Sequence, residues 1–114
     1  MQYLLLIYDQ EKRWTGLSKA EYAAETLEFG AFGKEFAGTI RGGNALKPTN
    51  TAQTVRVRNG ESLVTDGPFA ETKEQLGGYY LVEASTPEEA AAIAAKIPWA
   101  RFGSIEIRPI LTFS

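Results

Sequence analysis

The pattern of hydrophobic and polar residues predicts the element order βαβ, then a β-hairpin, then βαβ. The first strand, at residues 2–8, has apolar side chains on both of its faces, so we expect it to be covered on both sides. The last strand, at residues 104–108, alternates instead, with Glu106 and Arg108 on the face opposite its isoleucines. Two further strands are predicted at about residues 39–46 and at residues 79–84.

Capping residues and helical spacing predict two helices. The first begins at the N-cap Ser18 and runs to about Ala37, and the second begins at the N-cap Thr86 and is ended by Pro98. The first helix has two apolar stripes, one of aromatic residues and one of smaller residues. In a monomer with a single sheet, one apolar stripe is enough to pack the helix against that sheet. Either the aromatic stripe meets the sheet and the other a neighbouring element, or one stripe meets a second subunit. The stripes are Tyr22, Phe29, Phe32 and Phe36, and Ala20, Ala24, Leu27 and Ala31.

A β-hairpin with a two-residue turn is the clearest local signal in the chain. Residues 54–58 alternate strictly between polar and apolar, and a second strand follows at residues 62–65. Between them lie Asn59 and Gly60, a pair typical of a type I′ turn. The composition of residues 66–69 predicts a turn, and the polar residues 70–76 predict a loop or a short helix.

These elements predict an α+β fold. With the hairpin as an insertion, the frame is β-α-β-β-α-β, a ferredoxin-like sheet with both helices on one face, and residues 1–114 make up one domain. The second face of the sheet would stay bare in a monomer. We therefore expect two copies to pair face to face as a homodimer.

The composition excludes several kinds of site. The 114 residues include no histidine and no cysteine, which rules out disulfides, cysteine nucleophiles, thiolate or imidazole metal sites and Ser-His-Asp triads within this chain. A formal net charge of −2 with scattered basic residues argues against nucleic-acid and membrane binding. No export signal, membrane-spanning segment, phosphate-binding glycine motif or metal-ligand spacing is found. We therefore expect a cytoplasmic protein without a cofactor or a metal.

A long stretch of this chain resembles a known family. Residues 63–80, Leu-Val-Thr-Asp-Gly-Pro-Phe-Ala-Glu-Thr-Lys-Glu-Gln-Leu-Gly-Gly-Tyr-Tyr, resemble the DGPF branch of the YCII-related family, as do the segments 3–8, 54–58 and 103–109. The resemblance covers essentially the whole chain and implies the dimeric α+β barrel form of the ferredoxin-like fold. Genes of this branch often lie beside those of extracytoplasmic-function sigma factors, so the resemblance also implies a regulatory connection with them. The wider family has a proposed His–Asp pair, but residues 18–22, where relatives carry the histidine, have none.

The candidate site residues follow from the motif and from the strand faces. Asp66 is the candidate catalytic carboxylate, and its alternative role is to shape the turn that follows it. Arg108 or Arg41 would orient an anionic ligand, unless Arg108 only forms an internal ion pair with Glu106. Tyrosines would line the same cavity or pack in the core. The remaining candidate binding residues are Tyr8, Glu71, Lys73 and Tyr79.

Two functions remain open from the sequence. The first is a homodimer that binds a small polar or aromatic metabolite in a cleft on the sheet face, and the sequence leaves open whether a cofactor-free reaction follows. The alternative is a non-enzymatic regulatory module that engages a sigma factor through its outer helix surface. A ligand-sized pocket favours the first function, and a stable complex with a sigma factor favours the second.

Overall fold

A computed structural model describes residues 1–113. No helix in this range is long and apolar enough to cross a membrane. The strands are β1 (Gln2–Asp9), β2 (Ile40–Ala45), β3 (Gln53–Arg58), β4 (Glu61–Asp66), β5 (Gln75–Glu83) and β6 (Ser104–Pro109). The helices are α1 (Glu11–Thr15), α2 (Lys19–Glu35) and α3 (Pro87–Ala94), with short 3₁₀ segments at Thr49–Thr51 and Pro98–Arg101.

Four strands form one antiparallel sheet in the order β2-β5-β1-β6. β1 lies in the interior of this sheet and pairs with β5 on one side and β6 on the other. α2 connects β1 to the edge strand β2, and α3 connects β5 to the other edge strand β6. This topology is the ferredoxin-like α+β fold, so the prediction of fold class is confirmed.

One face of the sheet packs against α2 and α3. Tyr3, Leu5 and Ile7 of β1 point to this face and are at most 4% exposed. They share one hydrophobic core with Phe32 of α2 and Ile93 of α3. The period of two along β1 therefore places every second side chain of this strand in the core.

The opposite side of the sheet, here called the open face, is not covered by any helix of residues 1–113. Along β1 it carries Leu4, Leu6 and Tyr8, which are half-buried within the single chain. Leu4 pairs with Leu81 of β5 and with Arg108 of β6, which places these two residues on the same face. This face combines a central apolar strip with charged residues on the edge strand β6.

The helix caps follow the sequence closely. The Ser18 side chain accepts a hydrogen bond from the Glu21 N–H, and the Glu21 side chain accepts one from the Ser18 N–H, which completes the capping box. The Thr86 side chain caps α3. α2 ends at Glu35 and α3 at Ala94, both slightly earlier than predicted, because helix ends are set by local caps and turns that periodicity does not encode.

The two stripes of α2 have different environments. Phe32 is buried, Phe29 and Phe36 pack partly against the core, and Tyr22 is exposed. Thus the aromatic stripe meets the sheet except at its first residue, as in the first of the two alternatives. The stripe of smaller residues, Ala20, Ala24, Leu27 and Ala31, is exposed in the single chain.

The β3–β4 hairpin, here called the hairpin arm, forms a two-stranded sheet of its own. Asn59 and Gly60 have φ values of 52° and 78°, the left-handed conformations that a type I′ turn requires, so the predicted hairpin is confirmed. Val55, Val57 and Val64 share one face of the arm and are exposed. A hairpin with an uncovered apolar face is only marginally stable by itself.

Two segments differ from the sequence prediction. The short helix α1 was not predicted, because its five residues depend on side-chain contacts with distant residues. β5 begins at Gln75, earlier than the predicted start at Tyr79, because Gln75 pairs with Asp9 at the end of β1. The preceding residues 70–74 form no helix, so the loop alternative was the correct one.

Candidate functional site

A cavity of about 440 Å³ lies between α2 and the sheet. It is on the helix-covered side, over the ends of β5 and β2, and the 3₁₀ segment 98–101 contributes one wall. Its volume is within the range of about 300–1,000 Å³ that is typical of small-molecule sites. The principal lining side chains are Trp14, Leu17, Tyr22, Glu25, Phe29 and Trp99.

Two tryptophans from distant parts of the chain form one wall. The Trp14 and Trp99 rings stack with their centroids 4.8 Å apart and an angle of 25° between their planes. They lie over Gly77, which falls at an irregularity in the β1–β5 pairing. A Cβ at Gly77 would lie 2.8 Å from the Trp99 ring. The absence of a side chain at this position therefore lets the tryptophan pair approach the sheet.

Arg13 joins two carboxylates beside this wall. Its Nε donates to the carboxylate of Asp9, a buried residue. Its Nη1 and Nη2 donate to the two oxygens of Glu25 at 2.7 and 3.1 Å. The indole N–H of Trp99 donates to Glu25 Oε1 at 2.8 Å. These hydrogen bonds hold four elements together at the cavity: the last residue of β1, the helices α1 and α2, and the 98–101 segment.

The Glu25 carboxylate faces the cavity as an anion. The hydrogen bonds from Arg13 lower the pKa of Glu25; burial opposes this effect, and the Trp99 indole adds to it. A carboxyl group with a lowered pKa is a weak general base, but as an anion it accepts charge-assisted hydrogen bonds. In the described part of the chain, no three acidic side chains lie close enough together to hold a metal ion.

Three of the sequence-predicted residues lie away from the cavity, at the base of the hairpin arm and in the segment that follows. Asp66, Glu71 and Lys73 are all exposed. Asp66 Oδ1 accepts a hydrogen bond from Gln53 Nε2 at 3.5 Å, and the next residue, Gly67, has a φ of 99°. This hydrogen bond joins Asp66 to its cross-strand neighbour in the hairpin arm, and both predicted roles of Asp66, catalytic carboxylate and turn residue, stay predictions.

Three others lie at the β2 edge and on the open face. Arg41 is exposed and donates to the Gly38 carbonyl at 2.8 Å. Arg108 is exposed and donates to Glu106 at 3.1 Å, so the alternative ion pair is present, although it is not buried in the single chain. Tyr8 is half-buried, and burial, followed by the nearby Glu106 carboxylate, raises its pKa.

Tyr79 is the one predicted binding residue that borders the cavity, but its pairing with Leu6 places its side chain on the open face of the sheet. It is half-buried on β5 and accepts a hydrogen bond on its hydroxyl oxygen from Asn44 Nδ2 at 2.9 Å. Its neighbour Tyr80 also lines the cavity and packs against Phe32, with the ring centroids 5.0 Å apart. The structure therefore separates the candidate residues into groups instead of gathering them in one cleft.

Sequence reasoning missed the network around Glu25. A partial signal was present, because Asp9 and Arg13 are spaced by four residues just after a fully apolar strand, which is the spacing of a helical ion pair. Their partners gave no local signal. Glu25 lies 12 residues beyond Arg13, and Trp99 lies 74 residues beyond Glu25.

Comparison with known proteins shows a sequence relative and a solved structure of similar fold. An uncharacterised protein of Rhizobium meliloti (strain 1021) is 37% identical over 117 residues, covering 99% of this chain and 94% of the relative. The solved 5-chloro-2-hydroxyhydroquinone dehydrochlorinase of Burkholderia phenoliruptrix, in complex with 2,5-dihydroxybenzoquinone, superposes with a TM-score of 0.54. It covers 97% of this chain and 94% of its own, and its 16% identity shows a shared fold alone.

The family comparison covers the whole sequence. The YCII-related domain family matches residues 1–114. This match agrees with the motifs at residues 63–80 and at both ends of the chain, while the DGPF branch stays a prediction. The chain belongs to the YCII-related family.

Proposed function

We propose that this protein is a homodimer that binds a small molecule with a planar apolar body in the cavity between α2 and the sheet. The observation that carries the proposal is a ligand-sized cavity with aromatic walls and one fixed carboxylate. Apolar pockets with a few convergent polar groups are typical ligand sites. The similar fold of a dehydrochlorinase described with a bound 2,5-dihydroxybenzoquinone also supports a small-molecule ligand.

The position of the cavity changes the prediction made from sequence. The sequence placed the cleft on the sheet face, at the dimer mouth, with Asp66 as its carboxylate. The proposal places the ligand on the helix-covered side instead, where Glu25 is the carboxylate. Because the lowered pKa of Glu25 makes it a weak base, we propose binding as the primary activity. A cofactor-free reaction would depend on positioning by Glu25 and the aromatic walls.

Aromatic probes are expected to quench the tryptophan fluorescence saturably. Trp14 and Trp99 are the two tryptophans of the chain, and both line the cavity, so the intrinsic fluorescence reports on this site. We expect dissociation constants of about 1 mM or tighter for one-ring alcohols and amines. An Ala45→Phe variant, which adds a ring to the lining, should weaken this binding at least about tenfold.

The matched control is Ala31→Phe, on the exposed stripe of α2 and outside the cavity lining. It should bind the probes as the wild-type protein does. The proposal is wrong if no probe binds saturably, or if Ala45→Phe and Ala31→Phe bind with the same affinity as the wild type.

The homodimer is supported by two uncovered apolar surfaces. The open face carries Leu4, Leu6 and Leu81, and the hairpin arm carries exposed Val55 and Val57. Large exposed apolar patches mark interaction sites in soluble proteins. We propose that two open faces meet, as the barrel form of this fold requires, with the hairpin arm adding further contacts.

A Leu6→Glu variant is expected to be monomeric. Light scattering should give twice the chain mass of 12.5 kDa for the wild type and the chain mass itself for the variant. The reason is that two carboxylates at the centre of the paired faces would be buried without partners. Leu81→Glu on the adjacent strand is a second variant, and Leu27→Glu, at a residue 76% exposed on α2, is the control that should stay dimeric. A monomeric wild-type protein would contradict the proposal.

The alternative function, a regulatory module for a sigma factor, has one structural feature in its favour. The stripe Ala20, Ala24, Leu27 and Ala31 on α2 is exposed and uncharged. If this surface engages a sigma factor, Leu27→Glu should abolish the complex, whereas Ala45→Phe should leave it intact. The cytoplasmic location stays a prediction, which either function would fit.

A further inference from the structure

The charge of the cavity lining restricts the class of ligand more closely than the shape of the cavity does. Among the lining residues within the described range 1–113, Glu25 is the one with a charged side chain. The other lining residues are aromatic, aliphatic, glycine, hydroxyl or amide residues. No lysine or arginine of the described chain lines the cavity to receive an anionic group.

The hydrogen bonds of Glu25 leave room for one more donor. Oε1 accepts from Arg13 Nη2 and from the Trp99 indole, while Oε2 accepts from Arg13 Nη1. A carboxylate offers about four acceptor positions on its two oxygens. Within the described residues three are therefore occupied, and the remaining position, on Oε2, is available to a donor on a ligand.

The ion pairs around the cavity leave an excess of negative charge. Arg13 is shared between Asp9 and Glu25, so one guanidinium serves two carboxylates. Arg101, the next cation, is already paired with Glu28 by two hydrogen bonds of 2.5 and 2.7 Å. The cluster thus carries a formal charge of −1, in surroundings where burial weakens the screening by water.

We infer that the ligand is an organic cation, an amine bound as its ammonium ion on a planar or apolar body, with one N–H donated to Glu25 Oε2. This inference rests on the proposed function, because it assigns a ligand class to the same cavity. The ammonium ion supplies both the missing donor and the missing positive charge. The rings of Trp14, Tyr22 and Phe29 add a cation–π attraction and enclose the apolar body. The low pKa of Glu25 keeps the carboxylate charged at neutral pH.

The test compares three probes of nearly equal size at pH 7 and constant salt: benzylamine, benzyl alcohol and benzoate. Tryptophan fluorescence of the wild-type protein should rank them in that order. Benzylamine should bind at least about tenfold more tightly than benzoate. This ranking needs no variant, so it does not depend on whether any substitution folds.

A Glu25→Gln variant removes the charge while keeping an oxygen that can accept from Arg13 and Trp99. Its preference for benzylamine over benzoate should fall to less than about threefold. Glu28→Gln, one turn further along α2 and outside the lining, removes the same charge and should keep the wild-type ranking.

The outcomes separate this inference from the proposed function. Binding of all three probes with equal affinity, or tighter binding of benzoate, would overturn the cationic ligand and leave the cavity as a small-molecule site. An unchanged ranking in Glu25→Gln would also overturn it. Failure of all the aromatic probes to bind, benzylamine included, would overturn both proposals together.

Discussion

An Arg13→Met variant is expected to lose about 3 kcal/mol of unfolding free energy at pH 7, because removing one partner leaves buried carboxylates uncompensated. The three side chains of this network are shielded, with 23% of Arg13, 3% of Asp9 and 13% of Glu25 exposed. Methionine keeps much of the length of the arginine side chain but supplies no donor. Urea unfolding followed by circular dichroism measures the loss.

The control for Arg13→Met is Arg101→Met. Arg101 also makes two hydrogen bonds to one glutamate, but 52% of its side chain and 38% of that of Glu28 are exposed. Solvent screens this pair, so its loss should destabilise the protein clearly less than the loss of Arg13 does. Equal losses in the two variants would show that the Arg13 network is no better shielded than a surface pair.

The effect of Arg13→Met should depend on pH in a defined direction. The pKa of Glu25 is lowered in the folded protein by its hydrogen bonds from Arg13, so the stability that this pairing contributes is present above its ordinary value of 4.5. It is lost as the pH falls through the lower pKa of the folded state. The difference between wild type and variant should therefore shrink below about pH 4.5. A difference that stays constant down to pH 3 would contradict the assignment.

A Gly103→Ala variant is expected to be destabilised by about 3 kcal/mol, the upper end of the usual cost of overpacking, because a collision with backbone cannot be relieved by a rotamer change. A Cβ at Gly103 would collide with the carbonyl oxygen of Tyr8 and lie 2.9 Å from the Cα of Asp9. The strand β6 would have to separate from the end of β1, where Ser104 pairs with Tyr8. Because Asp9 begins the network at the cavity, probe binding should weaken as well.

The matched control is Gly30→Ala in the middle of α2. Beyond its own helix backbone and chain neighbours, a Cβ at Gly30 would meet no heavy atom of the described residues within 4 Å. Alanine also favours the helix by about 0.5–1 kcal/mol. Gly30→Ala should therefore raise the urea midpoint, while Gly103→Ala lowers it. If the two alanine variants had the same midpoint, the close approach of residue 103 to the end of β1 would be refuted.

The sequence predicted those parts of the fold that depend on neighbours along the chain. The Ser18 capping box, the Thr86 N-cap and the Asn59-Gly60 turn are each specified within a few residues, and all three are present. Ala90, Ile93 and Ala94, which share one face of α3, are also buried. In these places local propensity and tertiary packing agree.

The site was less predictable than the fold for a physical reason. The motif that drew attention, residues 66–73, lies on an exposed segment of the single chain. The cavity residues Trp14, Glu25 and Trp99 come from three separate elements, and nothing in their local sequence indicates that they meet. Even the early start of β5 depends on pairing with Asp9, which is 66 positions away from Gln75.

By itself, then, the sequence determined the order and type of most elements, the absence of histidine and cysteine chemistry and the family. It did so because caps, turns and hydrophobic periods act over a few residues. Only the tertiary structure decided where a ligand would lie. The cavity exists because Arg13 joins the ends of β1 and α1 to α2, and because Gly77 lets two tryptophans, 85 residues apart, stack above the sheet. Such contacts over long sequence separations are made by folding, and no local pattern encodes them.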